Sequence, residues 1–150
     1  MRAGILGANE KLVCGAIGIN GMGFSDLRTF LNLPNTECAA LCDVDQNVLE
    51  KRRSDVEKIQ GKAPMGYTDF RRLLEHPGLD VIIIGTPDHW HTLPFLYAAQ
   101  EGYNIYCEKP LANTIHECNV MEKAVNTYGN VVQIGQWQRS DSFRARRLTV

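Results

Sequence analysis

Four short stretches of this 150-residue chain place polar or conformationally special residues where chemistry could be done. The first, GINGMG at residues 18–23, nearly repeats the dinucleotide fingerprint G-x-G-x-x-G. In that fingerprint the first glycine makes a tight turn and the second lets backbone approach a pyrophosphate. The third lets helix and strand pack closely. Gly18 and Gly23 hold the first and third places, Asn20 stands at the second, and Gly21 adds a further permissive position. Asn is the non-glycine residue most tolerant of left-handed backbone, which predicts a positive φ at Asn20 or a turn that a glycine would share. Its side chain is expected to point away from the phosphates. By itself the motif also fits a purely structural turn. Its surroundings favour a ligand: an apolar run precedes it, and a helix follows whose N-terminal N–H groups and dipole attract an anion. Asp43 ends the next apolar run, 20 residues beyond Gly23. From there an acid accepts hydrogen bonds from the adenine ribose hydroxyls and repels a 2′-phosphate, so NAD is expected over NADP.

The other three stretches follow later apolar runs. In TPDHWH, residues 86–91, Asp88, His89 and His91 admit three readings: metal ligands in an H-x-H arrangement, a loop with capping residues, or a loop facing a cofactor. In CEKPLAN, residues 107–113, Pro110 restricts Lys109 to extended backbone. A lysine fixed there beside Glu108 can bind a substrate hydroxyl or help move its proton; a solvated surface lysine is the other reading. Gln136, Trp137, Gln138 and Arg139 leave the last apolar run. Arg144, Arg146 and Arg147 suit a solvated helix face.

The elements that must position these residues alternate regularly. Apolar runs at 12–17, 37–43, 64–67, 80–85, 104–107 and 131–135 predict strands. Helical periodicity falls between them: at 21–32, from the Asp45 cap to Gly61, at 69–75, at 93–101, and from the Thr114-x-x-Glu117 capping box to Gly129. The inward stripes are expected to carry Leu27, Phe30 and Leu31; Val48, Leu49, Val56 and Ile59; Leu93, Leu96 and Tyr97; and Met121, Val125 and Tyr128. Parallel strands need crossovers, so this alternation predicts an α/β fold with a doubly wound parallel sheet of Rossmann type.

Composition narrows the function classes. A net charge of −1 gives no electrostatic reason to expect nucleic acid or an acidic membrane as partner, and no apolar run has the length of a membrane span. The five cysteines are odd in number and lack C-x-x-C spacing, which fits buried, reduced thiols. Cys107, beside Glu108 and Lys109, is the one marked for possible reactivity. The N-terminal MRAGILGANEKL lacks the apolar core of a working signal peptide. A cytoplasmic protein is expected, with export through a longer leader as the alternative.

Together AIGINGMG, LCDVD, IIGTPDHWH, CEKPLAN and VVQIGQWQRS resemble the N-terminal half of the Gfo/Idh/MocA family over residues 12–143. The resemblance implies an NAD(P)-dependent oxidoreductase acting on a sugar, inositol or related polyol. It implies a phosphate loop of Gly18, Asn20, Gly21, Met22 and Gly23, with Asp43 on the adenosine ribose. Thr86, Pro87, His89 and His91 would lie along the cofactor towards its nicotinamide. Lys109, in the motif Glu108-Lys109-Pro110, would be the catalytic residue, meeting nicotinamide ribose and substrate, with Gln136 and Trp137 bordering the site. No metal is implied. Members of this family are more than twice as long, with a second α/β domain that carries the substrate pocket. The expected division is a tail at 1–11, a dinucleotide-binding domain at 12–138, and the start of the substrate domain at 139–150. The chain is thus expected to be truncated before that second domain, to bind NAD weakly and not to turn over. Homo-oligomers are expected only of the full-length protein. An NAD-dependent glycosidase of the same fold and a non-catalytic ligand-sensing protein are the competing readings.

Overall fold

The computed structural model describes residues 11–136. Six strands form one all-parallel sheet: β1 (Leu12–Ile17), β2 (Thr36–Cys42), β3 (Met65–Tyr67), β4 (Val81–Ile84), β5 (Asn104–Glu108) and β6 (Val132–Gly135). Their order across the sheet is β3-β2-β1-β4-β5-β6, the doubly wound arrangement. Five helices connect them: α1 (Gly21–Leu31), α2 (Gln46–Gln60), α3 (Phe70–Leu74), α4 (Thr92–Gln100) and α5 (Ile115–Tyr128). A single 3₁₀ turn, Asp88–Trp90, precedes α4.

Local chemistry sets the ends of these elements. Asp45 accepts hydrogen bonds from the N–H groups of Asn47 and Val48, and α2 stops at Gly61. Thr114 Oγ1 accepts from Glu117 N to open α5, and its hydroxyl donates to the Glu117 carboxylate at 2.9 Å.

Both faces of the sheet are covered. Leu27 of α1 and Leu49 and Val56 of α2 pack on Cys14, Ala16, Cys38, Leu41 and Ile83. On the other face α3, α4 and α5 bring Leu73, Phe95, Ala98 and Met121 against Ile17, Cys42, Ile82, Ile84 and Cys107. The β1–β2 register shifts between Cys14 and Gly15, whose partners are Cys38 and Ala40. Ala39 is therefore an extra residue, which explains why Cys38 and Ala40 point to opposite faces despite being two apart.

Three of the expected stripes are corrected. On α4 the buried residues are Pro94, Phe95, Ala98 and Ala99, while Leu93 and Tyr97 are exposed. That helix is apolar all round, so spacing alone did not choose its inner face. Tyr97 instead meets Phe70 edge-to-face at 5.6 Å. Ile59 and Tyr128 are also exposed, lying in the last turns of their helices, and Ala124 fills the place next to Met121.

The first turn of α1 approaches β4 closely. A Cβ on Gly23 would strike the Gly18 carbonyl oxygen and come within 3.1 Å of Gly85 Cα, whereas one on Gly21 would meet nothing within 4 Å. Gly23→Ala is predicted to destabilise the chain by about 2 kcal/mol or more. Gly21→Ala is predicted to be neutral, or stabilising by up to about 1 kcal/mol. Urea unfolding of the two variants checks both.

Candidate functional site

Strand order reverses between β1 and β4, and ligands of open α/β sheets bind at the carboxyl ends of the strands beside such a switch point. A cleft of about 670 Å³ opens there. Gly18, Asn20, Asp43, Thr86, Pro87 and His89 line it, all of them expected from the sequence.

The loop between β1 and α1 is pinned from several sides. Gly18 N donates to the Cys42 carbonyl at 2.9 Å, and Gly85 N to the Ile17 carbonyl at 2.9 Å. Ile19 N donates to Asp43 Oδ2 at 3.0 Å, and the Ile19 carbonyl accepts from Arg52 Nε at 3.2 Å. Arg52 also lies over the Phe24 ring, 4.0 Å from its centroid. Asp43 thus anchors the loop as well as facing the cleft. Its Oδ1 accepts from Asp45 N, so each carboxylate oxygen spends one acceptor position on backbone and keeps another for a ligand hydroxyl.

The left-handed residue of the turn is Gly18, with φ +74°, and not Asn20. Asn20 has φ −77° and ψ −170°, the extended N-cap conformation open to any residue. The expected positive φ is therefore corrected: the reversal is completed two residues earlier, where a Cβ would overlap Thr86. Asn20 is exposed, borders the cleft and makes no side-chain capping bond. The first turn of α1 carries no acidic residue. Its leading N–H groups, at Gly21, Met22 and Gly23, precede the first intrahelical bond, from Phe24 N to the Asn20 carbonyl. They form a bare positive helix end, suited to a pyrophosphate. Thr86 Oγ1 is buried and has no partner among the described residues, a further polar atom left for a ligand. These features fit a bound dinucleotide.

The rest of the cleft was not foreseen. Val44, Thr68, Asp69, Phe70, Arg71, Trp90 and Leu93 complete its walls. Val44 is 89 % exposed and Trp90 50 %, and together they give the cleft an apolar rim. The signal for Thr68 to Arg71 was present: they leave β3 at the same sheet edge as the loops already singled out. Arg71 holds Asp69 in a two-pronged ion pair with a 2.7 Å contact, which keeps that carboxyl below its usual range.

Glu108, Lys109, Pro110 and Gln136 lie outside this cleft, at the ends of β5 and β6 on the same sheet edge. Lys109 is exposed, follows a 3 %-exposed Glu108, and precedes Pro110 through a cis peptide bond. Trp137, Gln138 and Arg139 lie outside the described residues, as do the tail at 1–10 and the segment 139–150. His91 departs from expectation. It is 1 % exposed and lies beneath the loops, its ring nitrogens on the carbonyls of Pro110 (2.8 Å) and Thr86 (2.7 Å). It is therefore not among the residues that line the cleft, and both of its ring nitrogens are engaged by carbonyls rather than turned towards His89. Asp88 and His89 pair with each other at 3.5 Å, and no group of three His, Cys, Asp or Glu among the described residues could hold a metal. Cys107 is likewise corrected: it is buried, and burial followed by the Glu108 charge pushes its thiol up to about 12, which removes its reactivity.

A second carboxylate stands behind Glu108. Asp26 of α1 faces the side of the sheet that carries Tyr106 and Glu108, and its Oδ2 is buried without a partner among the described residues. Burial, then the Glu108 charge, raise its carboxyl from 3.8 to about 6, with Lys109 opposing. Burial, followed by the charges of Asp26 and Glu108, also raises the Tyr106 hydroxyl to about 12.

A profile of the oxidoreductase family, NAD-binding Rossmann fold (Gfo/Idh/MocA), matches residues 12–136. The chain belongs to this family. Among curated relatives, an α-N-acetylgalactosaminidase of Shewanella oneidensis is 31 % identical over 130 residues, covering 83 % of this chain and 28 % of that protein. A glycosyl hydrolase family 109 protein of Shewanella baltica is 32 % identical over 125 residues, covering 80 % and 27 %. Among solved structures, myo-inositol 2-dehydrogenase of Lactobacillus plantarum superposes with a TM-score of 0.83 at 25 % identity, over 93 % of this chain and 40 % of that one. Scyllo-inositol dehydrogenase of Lactobacillus casei, solved with NAD(H) and scyllo-inositol, shares the fold with a TM-score of 0.80 at 19 % identity, over 93 % and 41 %. The chain spans 27–30 % of the length of the curated relatives it matches. No helix among the described residues is long and apolar enough to cross a membrane.

The raised Asp26 carboxyl has a consequence for this Gfo/Idh/MocA domain that can be measured. A carboxyl whose folded value lies above its unfolded one penalises the native state as pH rises from about 4 through about 6. Asp26→Asn is predicted to stabilise the chain at about pH 8, by about 1 kcal/mol after allowing for its solvent contact, or roughly 2–4 °C in Tm. At about pH 4 the difference should shrink to a few tenths of a kcal/mol, because folded Asp26 is then protonated and the unfolded carboxyl is about half ionised. Thermal melts at the two pH values check this.

Proposed function

We propose that this domain is the cofactor half of an oxidoreductase that transfers hydride between a sugar or polyol and NAD. One observation carries the reading. The bare N-terminus of α1, reached through the Gly18–Gly23–Gly85 approach, opens onto a cleft whose wall holds Asp43. In this reading the N–H groups of Gly21, Met22 and Gly23 bind the pyrophosphate. Asp43 accepts from the adenosine ribose, and its charge disfavours a 2′-phosphate. The apolar rim of Val44 and Trp90 excludes water from the base.

When bound, the nicotinamide would supply or accept the hydride. This chain's part is to orient and to move a proton. Lys109, exposed at the end of β5, hydrogen-bonds the reacting hydroxyl and shares in moving its proton. Its backbone N–H donates to Glu108 Oε2 at 3.1 Å, which fixes the start of the loop. The curated relatives named as glycosidases support a second reading, in which the same chemistry would transiently oxidise a sugar and so labilise its glycosidic bond.

Calorimetry on this chain is the first test. NAD is predicted to bind more tightly than NADP, and Asp43→Ala to weaken NAD about tenfold and narrow the difference. Equal binding of the two nucleotides by the unaltered chain would remove the case for Asp43. In a longer protein containing this domain, Lys109→Ala is predicted to lower kcat about a hundredfold or more. Undiminished turnover would sink the role assigned to Lys109, and release of a sugar without net cofactor reduction would select the glycosidase.

A further inference from the structure

His91 lies outside the lining of the cleft, and its surroundings dictate its protonation. The ring is 1 % exposed. Nδ1 lies 2.8 Å from the Pro110 carbonyl oxygen and 3.3 Å from that of Leu111, and Nε2 lies 2.7 Å from the Thr86 carbonyl oxygen. A carbonyl oxygen only accepts, and a neutral imidazole has one N–H and one lone pair. A neutral ring would therefore set a lone pair against a carbonyl oxygen at hydrogen-bond distance, in a place water does not reach. Only the doubly protonated ring satisfies both contacts.

We propose that His91 is a positioning residue held as an imidazolium, donating from both ring nitrogens and stapling the Lys109–Pro110 loop to the Thr86 loop. The regular pairing of β4 with β5 ends at Ile84 and Cys107. Past that point the two loops bridge through the ring. One carries Thr86, whose buried hydroxyl awaits a partner; the other carries Lys109 immediately before the bonded Pro110.

The charge is held against opposing forces. Burial disfavours it, and so does its place at the N-cap of α4, the positive end of a helix. No carboxylate among the described residues comes within ion-pair distance of the ring. On its own loop Asp88 is paired with His89. On the β5 side Glu108 is a buried carboxylate that accepts from Lys109 N at Oε2 and has no hydrogen-bond partner at Oε1 among the described residues, and its charge favours the imidazolium from beyond ion-pair distance. From α5 the Met121 sulfur accepts the hydroxyl of Thr92, the residue that follows His91. Two short charge-assisted hydrogen bonds remain as what keeps the second proton. Loss of that proton releases one carbonyl, and with it the fixed distance between the two loops. The protonation state stands on these contacts alone; its consequence for Lys109 rests on the dehydrogenase reading.

The test needs no cofactor, so it is separate from the fate of that reading. The chain has four histidines, and ¹⁵N labelling of their rings resolves protonated from unprotonated nitrogens. At about pH 7 both nitrogens of His91 are expected to give protonated signatures, as two carbonyl acceptors require. An unprotonated signature at either His91 nitrogen at about pH 7 would overturn the proposal. In His91→Gln, which cannot span both carbonyls, the amide order parameters of Leu111 and Ala112 are expected to fall from about 0.85 to about 0.6 or below, with those of β1 and β2 unchanged. Unchanged order parameters at 111 and 112 would remove the staple. If that variant does not fold, the ring signatures of the unaltered protein decide alone.

Discussion

Three backbone segments meet without side chains between them, and the site depends on that contact. Gly23 in the first turn of α1 faces the Gly18 carbonyl and the Cα of Gly85 at the end of β4. Because no Cβ intervenes, α1 begins directly above the gap between β1 and β4 and aims its unpaired N–H groups along the sheet edge. A side chain on Gly23 or Gly85 would lift the helix away and close off that anion site. Packing, turn geometry and helix electrostatics are in this way set by one close approach.

The remaining interactions keep the approach in place. Asp43 and Arg52 hold opposite sides of the Ile19 peptide, one at its N–H and the other at its carbonyl. Neither bond closes the cleft, since Asp43 retains acceptor capacity towards it. Farther along the same edge, the His91 ring ties the loop after β4 to the loop after β5. The sheet thus delivers an acid after β2, an anion-binding helix end between β1 and β4 and a lysine after β5 along one edge, which is the order in which a dinucleotide would present adenosine ribose, pyrophosphate and reactive ring.

Much of this was legible in the sequence, because the relevant signals are local. The alternation of apolar runs and capped helices gave the fold, and Asp45, Thr114, Gly61 and Gly129 end their helices as their types require. What stayed hidden needed distances between remote segments. Asn20 was expected to carry the unusual backbone because it replaced a glycine, but the turn is made at Gly18, where Thr86 leaves no room. His91 looked like a loop residue beside a ligand, and nothing local announces that two carbonyls, 5 and 19 residues away, enclose its ring. The inner face of α4 could not be chosen by period in a helix apolar on every side.

The central claim is that the first turn of α1 receives the cofactor's phosphates, and amide chemical shifts test it most directly. With NAD titrated into the ¹⁵N-labelled chain, the largest changes should fall on Gly21, Met22 and Gly23, with Val44 and Thr86 following as ribose and base settle against the cleft. Changes that spare residues 21–23 and gather at the opposite edge of the sheet, around Lys11, Glu37 and Lys62, would contradict the account.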